Sequence, residues 1–300
     1  MAIFDSYLIV DWSANATPKH GRDSIWYCLL ERTGDRLRRR RLENPSTRRQ
    51  AYEEIAKILV RGIGRGRRIL AGFDFPNAYP AGFAAAAGFS GRPWRAVWDG
   101  LAGLIRDGAD NGNNRFAVAA ELNRRISGGP FPFWGCPAGR QNRHLSARKG
   151  AATVIELAER RQCEAWLPRT QPCWKLYTTG SVGGQALVGI PVLRRLRDHS
   201  ALAGRIRVWP FETGLQPQRR SDGGGVVLAE VYPSILAVTV APGQIKDAVQ
   251  VATVARHLAR RDTAGALSAD LAGPDELSRA ERRLIEREEG WILGAGTFDR

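Results

Sequence analysis

The sequence predicts an α/β fold in which helices flank a mixed sheet. Two short apolar runs, at residues 7–10 and 69–73, are typical of strands buried on both faces, and each is followed at once by a carboxylate, Asp11 and Asp74. The elements between them are predicted in the order strand, strand, strand, helix, strand. This order places the ends of the two apolar strands at the same edge of the sheet.

The elements before the second carboxylate follow from local signals. Residues 24–31 and 35–42 form a predicted antiparallel hairpin, and the arginines on both faces of its second strand favour an exposed edge. A helix follows, with Ser46 or Thr47 as its N-cap and a buried stripe of apolar residues on one face. That stripe comprises Tyr52, Ile55, Ala56, Leu59 and Val60.

Two further carboxylates come late in the chain. Residues 205–211 and 225–233 are predicted strands, and the second carries Glu230 near its end, just before a proline. A helix over residues 247–262 places Asp247 on the same face as Val251, Val254 and Leu258, which we expect to pack on the sheet. An Asp in a first helical turn also stabilises the helix by itself. A last helix is predicted over residues 275–288.

Residues 78–179 do not fit this core and are predicted to be a largely helical insertion between core segments 1–77 and 180–300. Helices are expected over residues 92–106, 114–126 and 151–161. Tryptophans alternate with cations here, as in surfaces that bind single strands. We predict a substrate-binding role for Arg140, Arg143, Arg148 and Lys149, whereas the helical spacing of Trp94 and Trp98 favours the insertion's own core.

A glycine-rich turn over residues 178–184 introduces a helix that Pro191 is expected to break or kink. The free N–H groups of such a turn can hold an anion. The turn lacks the Gly-Lys-Ser/Thr sequence of a P-loop, so the sequence does not favour nucleotide triphosphate binding.

The charge of the chain is its strongest compositional signal. A formal net charge of +15 favours nucleic acid as a partner, although a basic excess can also be a solvated surface. The chain has no apolar run of 18 residues and no signal peptide, so we expect a cytoplasmic protein without a membrane partner. The scattered cysteines and histidines argue against disulfides and zinc.

Five short motifs occur in a fixed order: Val-Asp-Trp-Ser, Gly-Phe-Asp-Phe-Pro, Glu-Val-Tyr-Pro-Ser, Lys-Asp-Ala and Glu-Gly-Trp-Ile. Together they resemble the family of predicted nucleases catalogued as domain of unknown function 429, in the ribonuclease-H-like superfamily. The resemblance covers about residues 5–76 and 180–295. It implies a ribonuclease-H-like fold and hydrolysis of phosphodiester bonds in DNA or RNA.

The resemblance also implies a metal site. Asp11, Asp74, Glu230 and Asp247 would be the catalytic carboxylates and would bind two Mg²⁺ or Mn²⁺ ions, with Asp11 bridging both. We therefore predict that their carboxyl groups converge. Two other functions stay open: a nucleic-acid-binding protein with a vestigial site, and an actin-like phosphotransferase. The second would need a glycine-rich hairpin after the first strand, which Asp11 to Asn15 do not provide.

Overall fold

The computed structural model describes residues 2–34, 36–150, 157–167, 169–222 and 224–298. Within these residues, six strands form a single mixed sheet. The strands are β1 (Ser6–Asp11), β2 (Trp26–Thr33), β3 (Arg36–Glu43), β4 (Arg68–Phe73), β5 (Ile206–Val208) and β6 (Gly225–Glu230). Their order across the sheet is β3-β2-β1-β4-β6-β5.

The pairing of the strands brings three carboxylates to one edge. β2 is antiparallel to both β1 and β3, whereas β1, β4, β6 and β5 run parallel. Val10 is paired with Phe73, and Phe73 with Glu230. Asp11, Asp74 and Glu230 therefore stand at the same ends of three neighbouring strands. The predicted ribonuclease-H-like α/β architecture is confirmed.

Nine α-helices occur in the described part of the chain, and none of them is both long and apolar enough to cross a membrane. The first begins after Thr47, whose side chain accepts a hydrogen bond from Gln50 N. The helices are α1 (Arg48–Gly64), α2 (Phe83–Ala86), α3 (Pro93–Leu104), α4 (Arg115–Ser127), α5 (Gln162–Ala165), α6 (Gly183–Arg197), α7 (Lys246–Thr263), α8 (Leu267–Ala272) and α9 (Arg279–Leu284); α9 continues as a π-helical turn, Ile285–Glu289.

Each face of the sheet is covered by its own apolar core. On one face, Leu8 and Phe73 join a cluster that includes residues of α1, α3, α4 and α6. Trp94 and Trp98 lie in this cluster, so the insertion helices pack into the core of the sheet. On the other face, Ile9 belongs to a cluster with the buried stripe of α7, as the spacing around Asp247 predicts. The strand ends that carry the carboxylates lie between these two layers.

Two predictions about helices, one at residues 151–161 and one around Pro191, compare differently with the structure. The first lies mainly outside the described residues, because 151–156 are not described, and residues 157–161 are not helical. The predicted break at Pro191 is wrong, since α6 continues through it. Proline costs about 3 kcal/mol inside a helix. Here the buried side chains of Leu187, Ile190 and Leu193, which bind α6 to the core, offset that cost.

Candidate functional site

The centre of the site is a pair of carboxyl groups from adjacent parallel strands. Asp11 ends β1, and Asp74 follows β4. Asp74 N donates to Val10 O at 3.1 Å, and Trp12 N donates to Asp74 Oδ1 at 2.7 Å. The Asp11 and Asp74 carboxyl groups are close enough for each to shift the pKa of the other. The backbone of the sheet therefore fixes the pair directly.

The environment of this pair favours protonation. Burial, followed by the negative charge of Asp74, raises the pKa of Asp11 well above its usual range. Burial also raises the pKa of Asp74 to about 7, although the Trp12 N–H and Asp11 oppose this shift. Within the described chain, no cation is among the main causes for either group. A proton shared by two carboxyl groups takes the place that a positive ion could fill.

Arg48 supports the loop that follows Asp11. This side chain is only 1% exposed, and its Nη1 donates to Ser13 O at 3.0 Å and to Asn15 O at 2.8 Å. The Ser13 hydroxyl accepts a hydrogen bond from Asn15 N at 3.3 Å. The Ser13 side chain therefore supports this turn together with Arg48.

Asp247 joins the site from the first turn of α7. Its negative charge raises the pKa of both Asp11 and Asp74, so it lies close to the pair. Its Oδ2 accepts a hydrogen bond from Asp23 N at 2.8 Å, and burial raises the pKa of Asp247 as well. Asp23 itself lies in the loop before β2. Sequence reasoning missed it, because a loop carboxylate at positive φ shows no periodic signal.

Glu230 is held away from this group by an arginine of the insertion. Arg161 Nη1 donates to Glu230 Oε2 at 2.8 Å, and Nη2 to Oε1 at 2.6 Å. Asn77 N donates to Oε2 at 3.0 Å. Both side chains are buried, and Glu230 does not line the cleft in front of the aspartates. A guanidinium that engages both oxygens leaves Glu230 as a structural ion pair in this structure, not as the open ligand that the sequence suggested.

A cleft of about 700 Å³ opens in front of the carboxyl pair, a size typical of ligand sites. Its wall includes the loop after β1, the loop before β2, the segment that leads into α6 and the first turn of α7. Its lining includes Asp11, Asp23, Asp74, Asp247, Arg115, Tyr177, Ser181, Val182 and Gln185.

A cation and an aromatic ring, Arg115 and Tyr177, form another part of the cleft wall. Arg115 is 9% exposed, and its Nη1 donates to Asn113 Oδ1 at 2.9 Å. Burial lowers the pKa of Arg115 to about 10. Its guanidinium lies 4.3 Å from the centre of the Phe116 ring, which meets Tyr177 edge to face. Tyr177 is 44% exposed. Arg115 and Tyr177 thus place a cation beside an exposed ring, at positions that the sequence did not single out.

The four cations predicted to bind substrate lie outside the lining of this cleft. Lys149 pairs with Glu159 at 2.8 Å, and Arg143 Nε donates to His144 Nε2 at 2.7 Å. Arg140 and Arg148 are exposed. Their role in substrate binding stays a prediction.

The carboxylates of the cleft fit the predicted pair of metal ions only in part. Among the described residues, no group of three or more His, Cys, Asp or Glu is arranged to hold a metal ion. Mg²⁺, however, is often bound by one or two carboxylates together with water and substrate phosphates. Asp11 and Asp74 fit that pattern for one ion. The second ion of the predicted pair would depend on Asp247, because Glu230 is engaged by Arg161.

Known proteins give no further guide to this site. No family model, curated protein or solved structure matches the chain. The resemblance to domain of unknown function 429 therefore rests on the five motifs, and the function has to be inferred from the cleft.

The raised pKa values predict how stability depends on pH. Since the folded protein holds protons on Asp11 and Asp74 that the unfolded chain releases near pH 4, the pair contributes stability below pH 4 that is lost as pH rises through about 7. We expect the loss to reach a few kcal/mol, and Asp74→Asn should reduce it, because it removes one of the two groups whose pKa is raised. Urea unfolding at pH 5 and pH 8 would measure the difference. The exposed control Asp275→Asn should keep the wild-type dependence, and an equal dependence in Asp74→Asn would contradict the assigned pKa.

Proposed function

We propose that the chain is a divalent-metal-dependent nuclease that hydrolyses phosphodiester bonds in the cleft. The observation that carries this proposal is the Asp11 and Asp74 pair: two carboxyl groups fixed by the sheet, with raised pKa and no cation among the main charges acting on them. Keeping acidic groups together in this way is costly. A cost in stability of this kind is typical of a functional site whose charges are balanced only when its ligand binds.

The chemistry follows from the residues of the cleft. A Mg²⁺ or Mn²⁺ ion held by Asp11 and Asp74 would activate water and stabilise the charge that develops on the phosphate. Trp12 N, through its hydrogen bond, orients Asp74 for this task. Burial raises the pKa of Asp247, which suits it to accept a proton, and its carboxylate can instead contribute to a second ion. The net charge of +15 would attract a polyanionic substrate.

One observation favours a second function, that of a nucleic-acid-binding protein without turnover. In the superfamily pattern Glu230 would be a metal ligand, but Arg161 occupies both of its oxygens. The described cleft then offers three of the four carboxylates that the resemblance implies, Asp11, Asp74 and Asp247. A vestigial site with an intact basic surface would have this arrangement.

Metal titration separates the two functions. With Mg²⁺ or Mn²⁺, the wild-type protein should cleave at least one of a panel of single- and double-stranded DNA and RNA, and it should cleave none in EDTA. Saturating metal should also raise the melting temperature, because an ion that binds only the folded state stabilises it. Asp74→Asn should lose this thermal shift, while Asp275→Asn should keep it. Strands that are bound but never cut with either ion would favour the non-catalytic function.

The proposal includes a cytoplasmic location. Cys28, Cys136, Cys163 and Cys173 are free and buried, and burial raises the pKa of each thiol. Buried thiols of raised pKa react slowly and form no disulfides, which suits a reducing compartment. Cell fractionation would test this location.

A further inference from the structure

We propose that the wall formed by Arg115, Tyr177 and the first turn of α6 holds one nucleotide unit of a single-stranded substrate. The phosphate would lie on the Arg115 guanidinium and the α6 N-terminus, and the neighbouring base would stack on Tyr177. Calling the ligand a nucleic-acid strand rests on the proposed function, whereas the anion site stands on the contacts of Arg115 and α6 themselves.

Arg115 has the features of a cation that lacks its anion. It is 9% exposed, its Nε has no hydrogen-bond partner among the described residues, and no carboxylate there forms an ion pair with it. Its one side-chain partner is the neutral Asn113. A buried cation is normally paired, because leaving it unpaired is costly. The guanidinium also lines the cleft, so an anion of the substrate can reach it.

The first turn of α6 supplies a second attraction for an anion at the same place. No side chain caps this 15-residue helix, and Ser181 and Val182, just before it, line the cleft. Gly183 N already donates to Lys175 O at 2.9 Å, so it is the helix dipole and the N–H groups after Gly183 that favour a negative charge there. A Cβ on Gly184 would lie 3.4 Å from Arg115 Nε and 2.9 Å from Leu176 O. Glycine at this position therefore lets the helix start directly against the guanidinium.

A hydrogen bond connects this anion site to the carboxyl pair. Gln185, in the first turn of α6, donates from Nε2 to Trp12 O at 2.5 Å. Trp12 follows Asp11 and binds Asp74 through its own N–H. A phosphate on α6 would therefore lie on the same rigid unit as the proposed metal ligands, which is the arrangement needed to position a strand for cleavage.

Tyr177 is suited to stack on an unpaired base. Its ring is 44% exposed and lines the cleft beside Arg115 and Phe116. The backbone just before it is anchored, since Leu176 N donates to Trp134 O at 2.9 Å. An exposed ring next to a cation is the combination that single-strand binding surfaces use. A base inside a duplex cannot present its face to such a ring.

The test is a binding measurement in EDTA with fluorescein-labelled oligothymidylate, ten nucleotides long, over a range of salt concentrations. Arg115→Gln should weaken binding about tenfold and reduce the slope of log K against log salt by about 0.7, the value for one lost phosphate contact on a single strand. Arg115→Lys should keep most of the slope. Arg283→Gln, which removes an exposed arginine outside the cleft lining, is the matched control and should leave affinity and slope near wild type.

A second substitution tests the base contact without disturbing the fold, because Tyr177 is exposed. Tyr177→Ser should weaken binding about tenfold with no change in slope, Tyr177→Phe should bind as wild type does, and the matching oligothymidylate–oligodeoxyadenylate duplex should be insensitive to both. A salt slope in Arg115→Gln equal to that in Arg283→Gln would overturn the phosphate site. If Arg115→Gln does not fold, wild-type affinity in Tyr177→Ser overturns the proposal. Failure to cleave with metal would instead count against the nuclease alone.

Discussion

Replacing Arg161 with methionine is expected to destabilise the protein by about 3–5 kcal/mol. The guanidinium is 1% exposed and binds both Glu230 and Glu164, at 2.6 Å and 3.0 Å. Methionine removes the charge but keeps a long apolar side chain, so two buried carboxylates lose their shared partner. Urea unfolding at pH 7 would measure the loss. Arg49→Met is the matched control, since the exposed Arg49–Glu53 pair should contribute less than about 1 kcal/mol.

The same ion pair makes Glu230→Gln informative. If Glu230 is structural, this variant should unfold more easily than wild type, and any loss of activity should follow the loss of folded protein. If Glu230 were a metal ligand, its replacement should abolish cleavage and leave stability unchanged. A fully stable but inactive Glu230→Gln protein would contradict a structural role for this carboxylate.

Asp11→Asn is expected to abolish metal-dependent cleavage while nucleic-acid binding in EDTA persists. Asparagine keeps the shape of the side chain but loses its charge, so the proposed ion loses one of two carboxylate ligands. A bound ion contributes several kcal/mol of transition-state stabilisation, which corresponds to a fall in kcat of roughly 10³-fold. Binding in EDTA should be unchanged, because the raised pKa of Asp11 already favours its neutral form when no metal is present. Single-turnover cleavage and fluorescence anisotropy would measure the two effects.

The matched control for this variant is Asp275→Asn, an exposed aspartate after α8 that lies outside the cleft lining. It removes the same charge and should retain wild-type cleavage. Full activity in Asp11→Asn would exclude the carboxylate pair from the chemistry. Loss of binding in EDTA would show that the substitution disturbs the cleft beyond the removal of a ligand.

The sequence predicted those parts of the molecule that depend on neighbouring residues. Apolar runs that end in Asp11 and Asp74 identified the central strands, and the choice of Ser46 or Thr47 as N-cap located the start of α1, where the structure has Thr47. Parallel pairing then placed the two aspartates together, because carboxyl ends of parallel strands share an edge. The spacing of Val251, Val254 and Leu258 likewise predicted which face of α7 is buried.

The role of each charge could not be predicted in this way, because it depends on partners far along the chain. Arg161 and Glu230 are 69 residues apart in the sequence, and no local pattern predicts that they pair. Arg115 starts a helix, where sequence alone suggests a solvated side chain, yet tertiary packing buries it beside Gly184. The basic residues chosen from the sequence, Arg143 and Lys149, instead find local partners on the surface.

The arginine-rich strand β3 has a consequence for how copies of this protein meet one another. It forms one edge of the sheet and exposes four consecutive arginines, Arg38 to Arg41, while the other edge, β5, is only three residues long. Open edge strands of different molecules can pair and build a fibre. Here repulsion between arginines blocks such pairing at β3, and the short length of β5 blocks it at the other edge. Part of the basic excess therefore protects the protein against self-association at high concentration, independently of any ligand.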